Sequence, residues 1–258
     1  SCRCIGNISA VSSGGITGDG LGNLTNSRIE IIDCHYTGII SGTGSGGIIG
    51  PDAVSHGKLH ILSCTSTCSL TGNGCGGIVG ARFANNVTID DITANKIVNC
   101  AVTVTSELTG TNCGCVVGAD SANTTTIGAP EQVTTIGGFS IINTDVNCAT
   151  ISGNSNGGFC GTNTMHVMVQ GCNFKGVSFT GNGIGGVLSS RTNVVQYVYP
   201  FAIINTYVGL TGTVTGNNCG GIVGNYSVSD AADVAPTSTT YIIDHCSFGT
   251  NLPITGNT

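Results

Sequence analysis

Tryptophan is absent, proline occurs five times, and only 20 of the 258 residues carry a charge, 7 basic and 13 acidic. The few basic residues form no patch and the net charge is −6, so nucleic acid is not an expected partner. No apolar run approaches the roughly 18 residues that cross a bilayer, and no membrane insertion is expected. No stretch of a dozen residues keeps a 3.6-residue apolar period, so no helix of consequence is expected.

Catalytic patterns are missing as well. The chain has no Gly-x-Ser-x-Gly elbow, and no Lys-Ser/Thr follows its glycine-rich corners as a phosphate loop requires. Asp90-Asp91 is the one adjacent acidic pair, and neighbours on a strand face opposite ways. Asp33 and Asp244 share a phase but stand six turns apart. The histidines (His35, His56, His60, His166, His245) are scattered; His56 and His60, flanking Lys58 near Asp52, read as a polar loop. Paired CxxC motifs are absent, and the close pairs Cys2-Arg-Cys4 and Cys113-Gly-Cys115 supply two ligands each, too few for a metal. The expectation is a protein that is not an enzyme and holds no metal or cofactor.

What the chain has is glycine, 42 residues of it, and a recurring phrase. Thr/Ser-Gly, three variable residues, Gly-Gly, two apolar residues and Gly recur as TGNGCGGIVG (71–80) and TGNNCGGIVG (215–224), with variants at 41–50, 109–118, 152–161 and 180–189. A degenerate copy occupies 9–18. The first Gly of the pair falls at 14, 46, 76, 114, 157, 185 and 220, which gives intervals of 32, 30, 38, 43, 28 and 35 residues. Such periods indicate stacked structural repeats. Their variation excludes a helical repeat packed on both sides.

A second phrase sits between the copies: IIDC (31–34), ILSC (61–64), IVNC (97–100), IINT (141–144), VQGC (169–172), IINT (203–206) and IIDHC (242–246). Another apolar residue follows some eight to ten positions later. Each repeat thus holds three short runs rich in Ile, Val and Thr and bounded by Gly and Asn, the composition of strands. The expected fold is all-β: a single domain over 1–258, a parallel β-solenoid with three strands per turn and about seven turns. An antiparallel sandwich would lack the long period.

In such a stack the Gly-Gly pair marks a corner where a side chain would clash or where φ must be positive. Asp33, Asn99, Asn143, Asn205 and Asp244 line up at a second corner, where Asp and Asn tolerate the left-handed region. Ile48, Ile78, Val116 and Ile222 share one inward phase; Ile40, Leu70, Leu108, Ile151, Phe179, Val214 and Ile254 share another. Length varies mainly after the GGxxG phrase, at 51–58, 81–86, 119–137, 190–201 and 225–240, where loops suited to recognition are expected.

Fourteen cysteines follow the repeat. Cys34, Cys64 and Cys100 share one rung position, continued by Thr144, Cys172 and Thr206, with Cys246 displaced by one. Cys75 and Cys113 are equivalent on adjacent turns. Cα atoms stacked about 4.8 Å apart fall within disulfide range, which points to an oxidising, extracellular compartment. A ladder of free, buried thiols is the alternative. Asn7, Asn23, Asn86, Asn123 and Asn225 head glycosylation sequons compatible with secretion.

Six Gly-Gly phrases in phase, each followed by an Ile-x-Asn-Cys type strand and then Val/Ile-Thr/Ser-Gly, resemble the GLUG-type repeat, GGLVG followed by I-x-N-S and V-x-G strands. The chain departs from it in using Ile or Val for Leu, in its cysteines and in its long insertions. The resemblance covers nearly the whole chain and implies a β-solenoid of secreted or surface proteins, adhesin-like ones among them. The function expected is that of an extracellular structural protein at a cell or virion surface, a fibre segment assembling head to tail. The alternative is a module binding surface glycans or proteins through side loops; a polysaccharide-active enzyme is a weaker one. Ice binding wants Thr-x-Thr on equal turns, and Thr103-Val-Thr105 and Thr213-Val-Thr215 stand on different ones. The chain begins at Ser beside Cys2 and Cys4 and ends in the same phase, at Ile254-Thr255-Gly256. Either a leader was removed or a longer array continues. A disulfide from Cys2 or Cys4 to Cys246 of the next copy is the expected inter-subunit contact.

Overall fold

The computed structural model describes residues 1–24, 27–54, 57–85, 95–122, 138–190, 201–225, 242–250 and 254–255. Among them there is no helix, and every strand pairing is parallel. The first sheet stacks Arg3–Ile5, His35–Ile40, Thr65–Leu70, Ala101–Leu108, Asp145–Ile151, Asn173–Phe179, Tyr207–Leu210 and Ser247–Thr250, with Val214–Thr215 and Ile254–Thr255 alongside. The second stacks Arg28–Ile32, Lys58–Leu62, Lys96–Val98, Phe139–Ile142, Val167–Gln170, Ala202–Ile204 and Ile242–Asp244. Along the chain the strands pass between the two sheets, and equivalent strands of successive repeats pair in register and in parallel, as in a β-solenoid.

The GGxxG phrases form a third row of a different kind. They stack through isolated bridges, Gly14 to Gly46 to Gly76 to Gly114 to Gly157 to Gly185 to Gly220, and likewise at the residue three further on. Sterics explain the first Gly of each pair. None of the seven has a positive φ. A Cβ there would overlap the carbonyl oxygen three residues on, as at Gly46 with Ile49 and Gly185 with Leu188. At the second Gly a Cβ would overlap a carbonyl of the next turn, as at Gly158 with Gly186 and Gly47 with Gly77, and would also meet the inward side chain of the first sheet, Phe174 at 2.7 Å and Tyr36 at 2.9 Å.

Alternation sets the core. Along Thr65–Leu70 every second residue is buried, as the two-residue pleat requires. In-register pairing then lines up like positions. Ile40 stacks on Leu70, and Leu108 on Ile151, Phe179, Val214 and Ile254, the phase expected from sequence. Ile31, Ile61, Ile97, Ile141, Val169 and Ile203 form a second buried row. One irregularity, a register shift between Val104 and Glu107, absorbs the extra length of Ala101–Leu108.

The corner after the second sheet is left-handed at every rung: Asp33, Ser63, Asn99, Asn143, Gly171, Asn205 and His245, with φ between 48° and 64°. The last rung is a correction, since the phase expected Asp244 there. Ile204 pairs with Asp244, so His245 takes the corner and Cys246 falls into step with Thr206 rather than one place off.

The stretch after GGxxG is also partly corrected. Its described beginnings are core, not solvated loop: Ala53, Val54, Phe83, Ala84 and Ala122 are fully buried, and Phe83 packs on Phe139 at 5.0 Å between ring centres. These beginnings stack by backbone bonds from Asp52 to Ala81, Arg82 to Ala119 and Asp120 to Thr162. The same row turns left-handed at Gly20, Asp52, Arg82, Asp120 and Asn163. The lengths beyond, and with them Asn86, Asp90, Asp91, Asn123 and His56, lie outside the described residues.

Candidate functional site

The thiols come first, because their spacing promised chemistry. All fourteen cysteines are free, ten of them buried. The disulfides expected among Cys34, Cys64, Cys100, Cys75 and Cys113 are not formed. In a parallel, in-register stack the Cα–Cβ bonds also run parallel, so Cβ atoms stay about 4.8 Å apart. A disulfide needs roughly 3.5–4.5 Å.

The sulfurs are used otherwise. In the first row Cys34 donates to Ile32 O, and from Cys64 onward each thiol donates to the carbonyl two residues earlier and to one on the previous turn. Cys64 Sγ reaches Leu62 O at 3.4 Å and Ile31 O at 3.6 Å. Cys100 reaches Val98 O and Ile61 O at 3.4 and 3.7 Å, Cys172 reaches Gln170 O and Ile141 O at 3.3 and 3.5 Å, and Cys246 reaches Asp244 O and Ile203 O at 3.3 Å each. Thr144 and Thr206 fill the same place with hydroxyls donating to Ile142 O and Ile204 O. The sulfur also accepts: Cys34 N–H donates to Cys64 Sγ at 3.4 Å.

A second row does the same ahead of the Gly-Gly pair. Cys75, Cys113 and Cys219 donate to Gly42 O, Gly72 O and Gly181 O, each at 3.0 Å. Ser45 Oγ and Asn156 Nδ2 make the equivalent bonds at 3.0 and 2.7 Å. Cysteine here is a small donor that satisfies a buried corner carbonyl, interchangeable with Ser, Thr or Asn.

Burial pushes the thiols of Cys68 and Cys172 up to about 12. Bonding from Cys100 draws Cys64 below the ordinary thiol range, while the same bond and burial push Cys100 up. Among the described residues no three His, Cys, Asp or Glu side chains converge as a metal would require.

Several charged groups pair with neighbours. Arg82 binds Asp52 through two nitrogens, and that bond pushes the guanidinium up, with Asp19 and Asp120 close by. Asp33 pairs with His35 at 3.3 Å, Asp244 with His245 at 2.7 Å, and Glu30 with Arg28 at 2.8 Å. Of the sequon asparagines described, Asn7, Asn23 and Asn225 are all exposed.

The ends of the stack differ from its middle. Arg3–Ile5 and Ser247–Thr250 are the outermost strands along the main path of the first sheet; Arg28–Ile32 and Ile242–Asp244 are those of the second. The inward row that buries Ile203 completely leaves its next member, Ile243, 55 % exposed. Ile16 and Ile222 are half-covered where Ile48, Ile78, Val116, Phe159 and Val187 are buried. Cys2 and Cys246 prove to be the first and last members of one row, and Cys4 and Phe248 of another.

Compared with models of protein families, with curated proteins and with solved structures, the chain finds no match.

Proposed function

We propose that this chain is a non-catalytic structural protein of an extracellular or surface fibre, in which copies stack end to end. In this reading it is a three-sided solenoid of about seven turns, the two sheets and the GGxxG row forming its sides, built from repeats of GLUG type. One observation carries the proposal: among the described residues the inward row of the second sheet passes from turn to turn and ends at Ile243, 55 % exposed where Ile203 is buried. Strand edges of this kind template further strands, and a contact between unlike ends of one chain does not close.

The register of a joint follows from the rows. Gly220 of one copy meets Gly14 of the next, and Ile243 meets Ile31. Because the first sheet has one rung more than the other two rows, Ser247–Thr250 takes the place of the next copy's Arg3–Ile5 and pairs with its His35–Ile40. Phe248 then lies over Tyr36 of the next copy, and Cys246 over Cys34 as one more hydrogen-bonded rung, not as a disulfide. Light scattering of the whole chain tests it. Mass rising with concentration, abolished by Ile243→Lys with the circular dichroism unchanged, supports the joint. A monomer at every concentration overturns it.

A further inference from the structure

The outer face of the first sheet carries a feature the repeat does not call for. Along one outward row the side chains are Thr37, Thr67, Thr103, Asn147 and Lys175, and then the row turns bare at Gly209 and Gly249. Tyr207 lies down over that gap. A Cβ on Gly209 would stand 2.6–2.8 Å from the Tyr207 hydroxyl and ring carbons, and one on Gly249 would stand 3.5 Å from the hydroxyl. The ring therefore covers two glycines of adjacent strands and stays 40 % exposed.

Polar groups flank it in register. Asn173 pairs with Tyr207 on one side and Ser247 on the other. Asn173 Nδ2 donates to Asp145 Oδ1 at 2.9 Å, and both side chains are exposed. Lys175 stands beside Gly209.

We infer that Tyr207 is the platform of a saccharide-binding subsite, with Asn173, Asp145 and Lys175 bonding the hydroxyls of the sugar it holds. An exposed aromatic face offers flat apolar area with a polar tip. A pyranose ring has the complement, an apolar C–H face rimmed by hydroxyls that both donate and accept. The flanking carboxylate and amide of Asp145 and Asn173 stand a strand spacing apart, about 4.8 Å, and the Lys175 ammonium two residues along the strand from Asn173, so acceptors and donors lie within the span of a sugar unit. Nucleic acid fits poorly beside Asp145 on a chain of net charge −6. The row lies on the outer face of the first sheet, which suits an internal unit of a neutral polysaccharide. It lies on the side of the stack, so its failure and the failure of the end-to-end joint are separate results.

The test titrates the full chain, followed by NMR, with the hexaoses of β-1,4-glucose, β-1,4-N-acetylglucosamine, β-1,4-xylose and β-1,4-mannose. At least one binds, with Tyr207→Ala weakening it by about tenfold or more and Tyr207→Phe by no more than about threefold. Asn173→Ala, which spares the ring, weakens the same ligand. The inference is overturned if none of the four binds, or if Tyr207→Ala and Asn173→Ala bind as the parent does.

Discussion

Glycine does two different jobs in this chain, and substitutions separate them. At Gly76 a Cβ would overlap backbone, the carbonyl of Val79, with φ ordinary. At Gly74 φ is 66° and the nearest atom to an added Cβ is 3.6 Å away. Gly74→Ala should cost about 1–2 kcal/mol, the strain of one left-handed residue. Gly76→Ala should cost more, about 3 kcal/mol or above, because the added Cβ would also stand 2.6 Å from Gly118 N of the next turn and force the corner and its neighbour apart. Chemical denaturation of both variants gives the order, and the reverse order would mean that the row is not stacked as described. The thiols give a second residue-scale prediction. Without reductant, a thiol reagent should label Cys2 at once, Cys4, Cys219 and Cys246 more slowly, and all fourteen after unfolding. Fewer than fourteen in the unfolded chain would restore the disulfides. Thiol ionisation then sets an alkaline limit. Unfolded thiols lose their protons near 9, whereas Cys68 and Cys172 hold theirs to about 12. Above about pH 9 the unfolded state binds fewer protons than the native one, so stability falls as pH rises and is intact below. Unfolding midpoints measured from pH 7 to 11 should show the decline. The rung positions of these cysteines were legible from spacing; their chemistry was not, because Cα spacing meets the disulfide range while parallel Cβ directions do not.

At the scale of strands and corners, the sequence carried most of the register. The Gly positions fall into bridges one for one, and the row through Ile40, Leu70, Leu108, Ile151, Phe179 and Val214 is buried as expected. Leu70→Asp should therefore leave an unpaired carboxylate in the core and cost several kcal/mol, about 3 or more. A cooperative transition at the parent's midpoint would place Leu70 on the surface. Two elements were misjudged. The run after each GGxxG looked like variable loop because its length varies, yet its first four or five residues stack, Asp52 beneath Arg82 and Asp120, with Val54, Ala84 and Ala122 in left-handed backbone. Only Gly20 and Gly22, at the first rung of that row, hint at the conformation. The stacked segment 162–166 was passed over because its repeat is the shortest, 28 residues. Of the segment 225–240, expected as a loop suited to recognition, only Asn225 lies among the described residues. The Tyr207 platform had no sequence signal at all: it depends on Gly209 and Gly249 falling side by side on neighbouring strands.

For the molecule as a whole, stability is the sum of neighbour contacts between repeats, so the terminal repeats are the weakest and the most available for contact. Ile243 at 55 % exposure, against complete burial of Ile203, measures how much core the last described rung leaves unshielded. Closing it against Ile31 of another copy would extend every row by the same step. Ile243→Lys should lower the unfolding midpoint of the dilute chain only slightly, since the residue is already half in water. The central claim is that one lattice of parallel strands runs through each molecule and on across its joints. Cryo-electron microscopy of the full chain at high concentration tests it most directly. The account predicts unbranched rods with an axial repeat of about 4.8 Å that continues without a break from one subunit into the next. Isolated particles at every concentration, or rods joined side by side, would contradict it.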